Sequence, residues 1–327
     1  MSDTMHVGTT VRPRDTHPLR PAPNERPVPL PRRNTDVPGE FVHRPAAEDV
    51  LITSWHRLDA THFSLTARWP HDHAYFTPSH GRHHPILTGE TIRQAGLLLS
   101  HAELGVPVGH HFILGDLVYT THPERLTVGS GPTEVTIEVT GSRLRMRAGA
   151  LVSGRFDMSI REEGRIVATG HSSVTVTAPP VYRRIRGARL TARHAGCPVR
   201  PPVAPRLTGN ADDSDVLLAP CDQPDRWLLR VTPGHAAVVN PANDHVPGMV
   251  LLDAAQQAAR VVTAPGPFVP YAFGTEFRRY AEHGLPCVIE AHRVPSAIPS
   301  TTTVQVTGYQ EGEPVFASTL TALDVRT

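Results

Sequence analysis

The sequence predicts an α+β protein in which one unit, a long apolar helix followed by an antiparallel sheet, occurs twice. The first observation behind this is a recurring motif. His84-Pro85-Ile86-Leu87-Thr88-Gly89-Glu90-Thr91-Ile92-Arg93-Gln94-Ala95 in the first half is answered by Pro247-Gly248-Met249-Val250-Leu251-Leu252-Asp253-Ala254-Ala255-Gln256-Gln257-Ala258 in the second. Aligned on the acid, Glu90 matches Asp253, Arg93 matches Gln256 and Gln94 matches Gln257. The second observation is that the same order of elements surrounds each copy. A repeat of this kind says that one fold unit was used twice.

Taken in order, residues 1–40 are rich in Pro, Arg, Asp and Thr, which predicts a disordered tail. The first body, 41–178, opens on a short strand at 50–53 and an alternating run at 63–69. A loop of His and Pro leads into a helix at about 89–104, where Ile92, Ala95, Leu99 and Ala102 keep the helical period. Past Gly105 and Pro107 the period changes, and 135–140, 151–160 and 166–177 read as antiparallel strands. The Pro- and Arg-rich stretch 179–212 predicts a linker without regular structure. The second body, 213–327, repeats the order with a strand at 227–231, a helix at 249–263 and strands at 288–291, 302–309 and 315–325. An apolar helix wrapped by such a sheet is the hot-dog plan. Two copies make a double hot-dog whose halves pair as a pseudo-dimer, with a homodimer of whole chains as a further option.

Composition narrows the function classes. A hydrophobic fraction of 39% suffices for a globular core, and a net charge of +1 gives no bulk attraction to nucleic acid or an anionic membrane. No apolar run reaches the roughly 18 residues of a membrane span. Cys197, Cys221 and Cys287 are widely spaced, which fits a reduced cytoplasmic protein better than a disulfide framework. The N-terminal residues lack the apolar core of a secretory signal. No Gly-rich phosphate loop or Gly-x-Ser-x-Gly is present, so no cofactor is expected. His71, His73, His80, His83 and His84 crowd one loop and His110-His111 form a pair, but no Cys joins them and no H-E-x-x-H occurs. No metal site is expected.

The chemistry rests on the motif. Glu90, Arg93 and Gln94 stand at i, i+3 and i+4, so one helix face carries an acid, a guanidinium and an amide. An ordinary helix-start glutamate paired with Arg93 accounts for the triplet by itself. Its recurrence as Asp253, Gln256 and Gln257, behind a Pro/Gly/His loop that exposes each helix N-terminus, favours a site. Unpaired amide N–H groups there suit a carbonyl oxygen or an oxyanion. That is acyl chemistry without a covalent enzyme intermediate. His83 stands just ahead of the first helix, where a substrate would pass. Arg278 and Arg279, with Arg93, are candidates to grip a phosphate.

The run from His80 to His101, with Trp69-Pro70 ahead of it, resembles the A-factor biosynthesis (AfsA-like) enzymes of actinomycetes. Asp244-His245-Val246-Pro247-Gly248-Met249-Val250-Leu251-Leu252-Asp253-Ala254-Ala255 resembles the family's second signature. The likeness runs from about residue 41 to the end. It implies an acyltransferase that joins a β-ketoacyl chain, carried as a thioester on acyl carrier protein, to a hydroxyl of dihydroxyacetone phosphate. The ester then leads to a butenolide phosphate on the way to γ-butyrolactone signals that regulate antibiotic production. The resemblance carries catalytic roles to Glu90 and Gln94, and to Asp253 in weakened form, because the family's second motif is Glu-x-x-Arg-Gln. Arg260, one turn beyond Gln256, could replace the lost arginine. On this reading Glu90 is the general base, Gln94 orients the thioester, and Arg93, His83, Gln257, Arg278 and Arg279 bind substrate. The Glu90 site is then the dominant one. A hot-dog dehydratase or thioesterase, and a non-catalytic acyl- or lactone-binding protein, are the alternatives.

Overall fold

The computed structural model describes residues 37–76, 78, 81–190, 200–232 and 243–324. Most of the expected tail, part of the expected linker, His80 and Cys197 lie outside them. The first half contains β1 (Ile52–Arg57), β2 (His62–Trp69), α1 (Pro85–Ala102), β3 (His111–Thr121), β4 (Thr133–Arg147), β5 (Ala150–Glu162) and β6 (Arg165–Thr177). Two short helices follow, α2 (Pro179–Arg186) and α3 (Pro205–Thr208). The second half contains β7 (Leu218–Pro220), β8 (Arg226–Leu229), α4 (Gly248–Thr263), β9 (Pro270–Phe277), β10 (Val288–Val294), β11 (Thr301–Gln310) and β12 (Glu313–Leu323).

All twelve strands form one antiparallel sheet in the order β1-β2-β4-β5-β6-β3-β9-β12-β11-β10-β8-β7. Read inward from either end, the two halves have the same order, so each strand of the first half has a counterpart in the second. The seam is β3 against β9, from Asp116 opposite Glu276 to Thr120 opposite Ala272. Backbone hydrogen bonds across it make one sheet of two hot-dog units.

Each helix lies in the curve of its own half-sheet, and α1 and α4 also touch each other. Inward positions on the strands alternate with outward ones, most cleanly in β4, where Val135, Ile137 and Val139 are buried between exposed Glu134, Thr136 and Glu138. In α1 all residues but Arg93 and Ala102 are buried. A helix apolar on every side belongs inside a core. Gly170 of β6 lets it sit close: a Cβ there would lie 2.7 Å from Ile92 Cδ1 and 2.5 Å from the Val118 carbonyl oxygen.

Three expectations need correction. The helix of the first motif begins at Pro85, four residues earlier than expected, and its first turn is buried rather than exposed. The stretch expected to lack regular structure holds α2 and α3. Proline opens both, because its fixed φ suits a first turn and its missing N–H is not needed there. Strands β3 and β9, at the seam, fall where the sequence pattern predicts no strand. Gly115 and Asp116 interrupt the alternation of β3, where the register slips between Leu114 and Asp116.

Candidate active site

Glu90 is the sixth residue of α1, and Asp253 is the sixth of α4. Glu90 is fully buried. Oε1 accepts from Arg93 Nη2 at 2.7 Å, Gln94 Nε2 at 2.7 Å and Arg44 Nε at 2.9 Å, and Oε2 accepts from Arg93 Nε at 2.9 Å. Burial raises its pKa, but the charges of Arg93 and Arg44 and the hydrogen bonds from Arg93 and Gln94 outweigh it. The carboxyl is held down at about 2. A group so acidic, with its lone pairs engaged, is a poor proton acceptor at neutral pH. The geometry therefore argues against Glu90 as the base. It makes Glu90 the anchor of two guanidinium groups, a trio of net charge +1.

Gln94 and Gln257 do the same job on the two helices. Gln94 Oε1 accepts from the Leu51 amide at 2.9 Å and Nε2 donates to the Asp49 carbonyl at 2.8 Å. Gln257 Oε1 accepts from the Leu217 amide at 2.8 Å and Nε2 donates to the Asp215 carbonyl at 2.9 Å. Each glutamine splints an extended segment entering its half-sheet, which leaves neither poised to orient a thioester. Asp253 accepts from the Tyr75 hydroxyl, a residue of the first repeat, at 2.6 Å. Gln256 is buried with neither amide atom hydrogen-bonded among the described residues. Arg260 does not replace the lost arginine: it donates to the carbonyls of Thr208 and Phe268. His83 is buried against Trp69, with Nε2 on the Thr133 hydroxyl at 2.9 Å, and burial, then His71, lowers its pKa to about 4. His73 turns to Asp49 and His84 caps the Ile86 amide, so the histidine loop disperses to separate partners.

The open space lies elsewhere. A cavity of about 970 Å³ runs between the halves. Arg44 and Arg93, held by Glu90, line one side, and Arg278 and Arg279 line another. Leu97, Phe112, Val174, Met249 and Leu251 supply apolar wall. Pro247, Gly248 and Met249, the start of α4, also face it, and no side chain caps this helix. Exposed Arg183, Arg189, Arg278 and Arg279 stand along its lining. Among the described residues, Arg278 and Arg279 make only solvent-exposed ion pairs, of 3.3 Å to Glu276 and 3.4 Å to Glu313. The Tyr280 hydroxyl, another lining group, has no hydrogen-bond partner among the described residues, and burial pushes its pKa up to about 12. It remains a donor.

The cavity therefore gathers Arg93, Arg278 and Arg279 of the expected set and leaves out Glu90, Gln94, Asp253, Gln257 and His83. It adds a group that the motif did not flag. Asp244 Oδ1 lies 2.6 Å from His245 Nδ1, and both residues line the cavity three to four positions before α4. An adjacent Asp-His pair in a loop has no periodic signature. Only its place in the second family signature pointed to it.

The model of the A-factor biosynthesis hotdog domain matches residues 27–178 and 193–325. The chain belongs to the A-factor biosynthesis hotdog family. Within it, a Streptomyces coelicolor protein named 2-oxo-3-(phosphooxy)propyl 3-oxoalkanoate synthase is 46% identical over 285 residues, covering 87% of this chain and 90% of that protein. A Streptomyces virginiae protein of the same name is 41% identical over 281 residues, covering 86% of this chain and 95% of its own length. A solved chain assigned as an oleoyl thioesterase from Lactobacillus plantarum aligns with a TM-score of 0.55 at 14% identity, over 83% of this chain and 99% of that one. At that identity the likeness is one of fold. Both relatives are named as synthases whose product joins a 3-oxoalkanoate to a 2-oxo-3-(phosphooxy)propyl group, and both halves of this chain match the hotdog model.

Proposed function

We propose that this chain is an acyltransferase that condenses a 3-oxoacyl (β-ketoacyl) thioester with dihydroxyacetone phosphate. The observation that carries the reading is the cavity itself, where arginines of both repeats meet the uncapped start of α4. The Gly248 and Met249 amides donate to the thioester oxygen as it gains charge, and one such donor contributes roughly 10²–10³-fold. Arg93, Arg44, Arg278 and Arg279 supply the positive charge a phosphate needs. The apolar wall receives the acyl chain. The acceptor's hydroxyl oxygen bonds to the carbonyl carbon, the C–S bond breaks, and the thiol leaves. The ester then loses water as it closes to a butenolide phosphate, the precursor of a γ-butyrolactone signal. The relatives' names support the two substrates. The donor is acyl carrier protein carrying the β-ketoacyl chain, and the exposed arginines suit an acidic carrier. A carrier-bound acyl donor puts the work of the enzyme in the cytoplasm. Among the described residues no helix is long and apolar enough to cross a membrane.

A thioesterase or dehydratase would use the same polarised carbonyl, and an inert binding protein would use the same apolar wall. None of them needs to hold a phosphate acceptor beside the thioester. The test is to incubate the protein with a 3-oxoacyl thioester, with and without dihydroxyacetone phosphate, and to identify products by mass spectrometry. A phosphorylated ester or its dehydrated butenolide, formed only with the acceptor present, is the expected result. Free 3-oxo acid alone, or no turnover, contradicts the reading.

A further inference from the structure

The loop entering α4 carries an imidazole held in one orientation. Asp244 Oδ1 sits 2.6 Å from His245 Nδ1. The Tyr182 hydroxyl reaches both carboxylate oxygens of Asp244 at 2.8 Å, and Arg186 Nε approaches Oδ2 at 3.4 Å. Arg186 is itself fixed by Glu282 at 2.6 and 2.9 Å and by the Asp244 carbonyl at 2.9 Å. Burial raises the Asp244 pKa, but the hydrogen bonds from His245 and Tyr182 and the charge of Arg186 outweigh it, so the carboxyl stays well below the ordinary range. An ionised carboxylate only accepts hydrogen bonds, so the imidazole proton belongs on Nδ1 and the neutral ring keeps its lone pair on Nε2. Nε2 has no hydrogen-bond partner among the described residues. The Tyr280 ring packs edge-on at 4.7 Å, which fixes the ring plane.

We propose that His245, oriented by Asp244, is the general base of the transfer. Nε2 takes the proton of the acceptor's hydroxyl as that oxygen bonds to the thioester carbonyl carbon. It returns the proton to sulfur as the C–S bond breaks. Asp244 is a positioning residue, and Tyr182 and Arg186 hold it. This rests on the transferase reading above. Three features support it: His245 lines the cavity, it precedes the uncapped Gly248 amide by three residues, and Glu90 is unsuited to the task. The charged and titratable groups around the ring are Asp244 on its own loop, Tyr182 and Arg186 on α2, His111 on β3, and Tyr280, Glu282 and His283 on the segment after β9.

The test compares wild type, His245→Gln and Asp244→Asn on a 3-oxoacyl thioester with dihydroxyacetone phosphate. If wild type gives no acceptor-dependent product, the transferase reading fails and this inference fails with it. If wild type turns over, His245→Gln is expected to lower kcat at least about 10²-fold, as loss of a positioned base does, with KM for the acceptor changed less than about threefold. Asp244→Asn leaves the imidazole but permits the wrong tautomer, and a comparable loss is expected. The wild-type kcat–pH profile should show an acid limb, because protonating the base stops the transfer. The acceptor's phosphate also ionises near pH 6, so the limb must weaken in His245→Gln to count. A folded His245→Gln within about threefold of wild-type kcat, or one with reduced kcat and an unchanged profile, overturns the proposal. A wild-type kcat with no acid limb overturns it without a variant.

Discussion

For the single residue, Glu90 shows that a motif's spacing can be legible while the partners of its side chains are not. Its carboxylate is buried among Arg44, Arg93 and Gln94, so Glu90→Gln leaves two guanidinium groups short of their counter-charge. Breaking a buried pair in this way costs about 3–5 kcal/mol, and chemical denaturation should register a loss of that size. The same group governs acid stability. Its folded pKa is about 2 against an ordinary 4.5, so its contribution is fully present above about pH 4.5 and is lost as pH falls toward 2. The stability gap between wild type and Glu90→Gln should therefore narrow below pH 4.5, and a gap that stays constant down to pH 3 contradicts the ion-pair account. The i, i+3, i+4 spacing made Glu90, Arg93 and Gln94 legible. Spacing along a helix cannot reveal Arg44, which arrives from 46 positions away, nor say which face meets open space.

At the scale of the element, the two helices and most strands were legible because buried positions keep their period. The seam strands were not. The irregularity at Gly115 hides β3, and β9 opens on Pro270. The repeat also announced Gln94 and Gln257 without their function, since a side chain that replaces a missing backbone partner leaves no pattern of its own. Both splint backbone that enters the sheet. Substituting leucine at either position strands one amide and one carbonyl, at a cost of about 1–3 kcal/mol for each group. Both variants should be destabilised, Gln94→Leu somewhat more because Glu90 also loses a donor. A neutral Gln94→Leu beside a costly Gln257→Leu would show that the halves are not built on the same splint.

At the scale of the whole molecule, β3 is hydrogen-bonded to β6 on one side and to β9 on the other, so neither half has a free inner edge. Calorimetry should give one cooperative transition for both repeats, with calorimetric and van't Hoff enthalpies in agreement. Two separated transitions would mean that the seam does not couple them. The cavity depends on this union, because Arg93 comes from one repeat and Arg278, Arg279 and the start of α4 from the other. The central claim is that acyl donor and phosphate acceptor meet there. The most direct measurement is the rate of thiol release from a 3-oxoacyl thioester as dihydroxyacetone phosphate is titrated, for wild type and for Arg278→Ala/Arg279→Ala. Release should saturate with the acceptor, with one ester formed per thiol and a KM for the acceptor raised about 10–100-fold in the variant, as loss of charge-assisted contacts implies. Thiol release that ignores the acceptor in both proteins would contradict it.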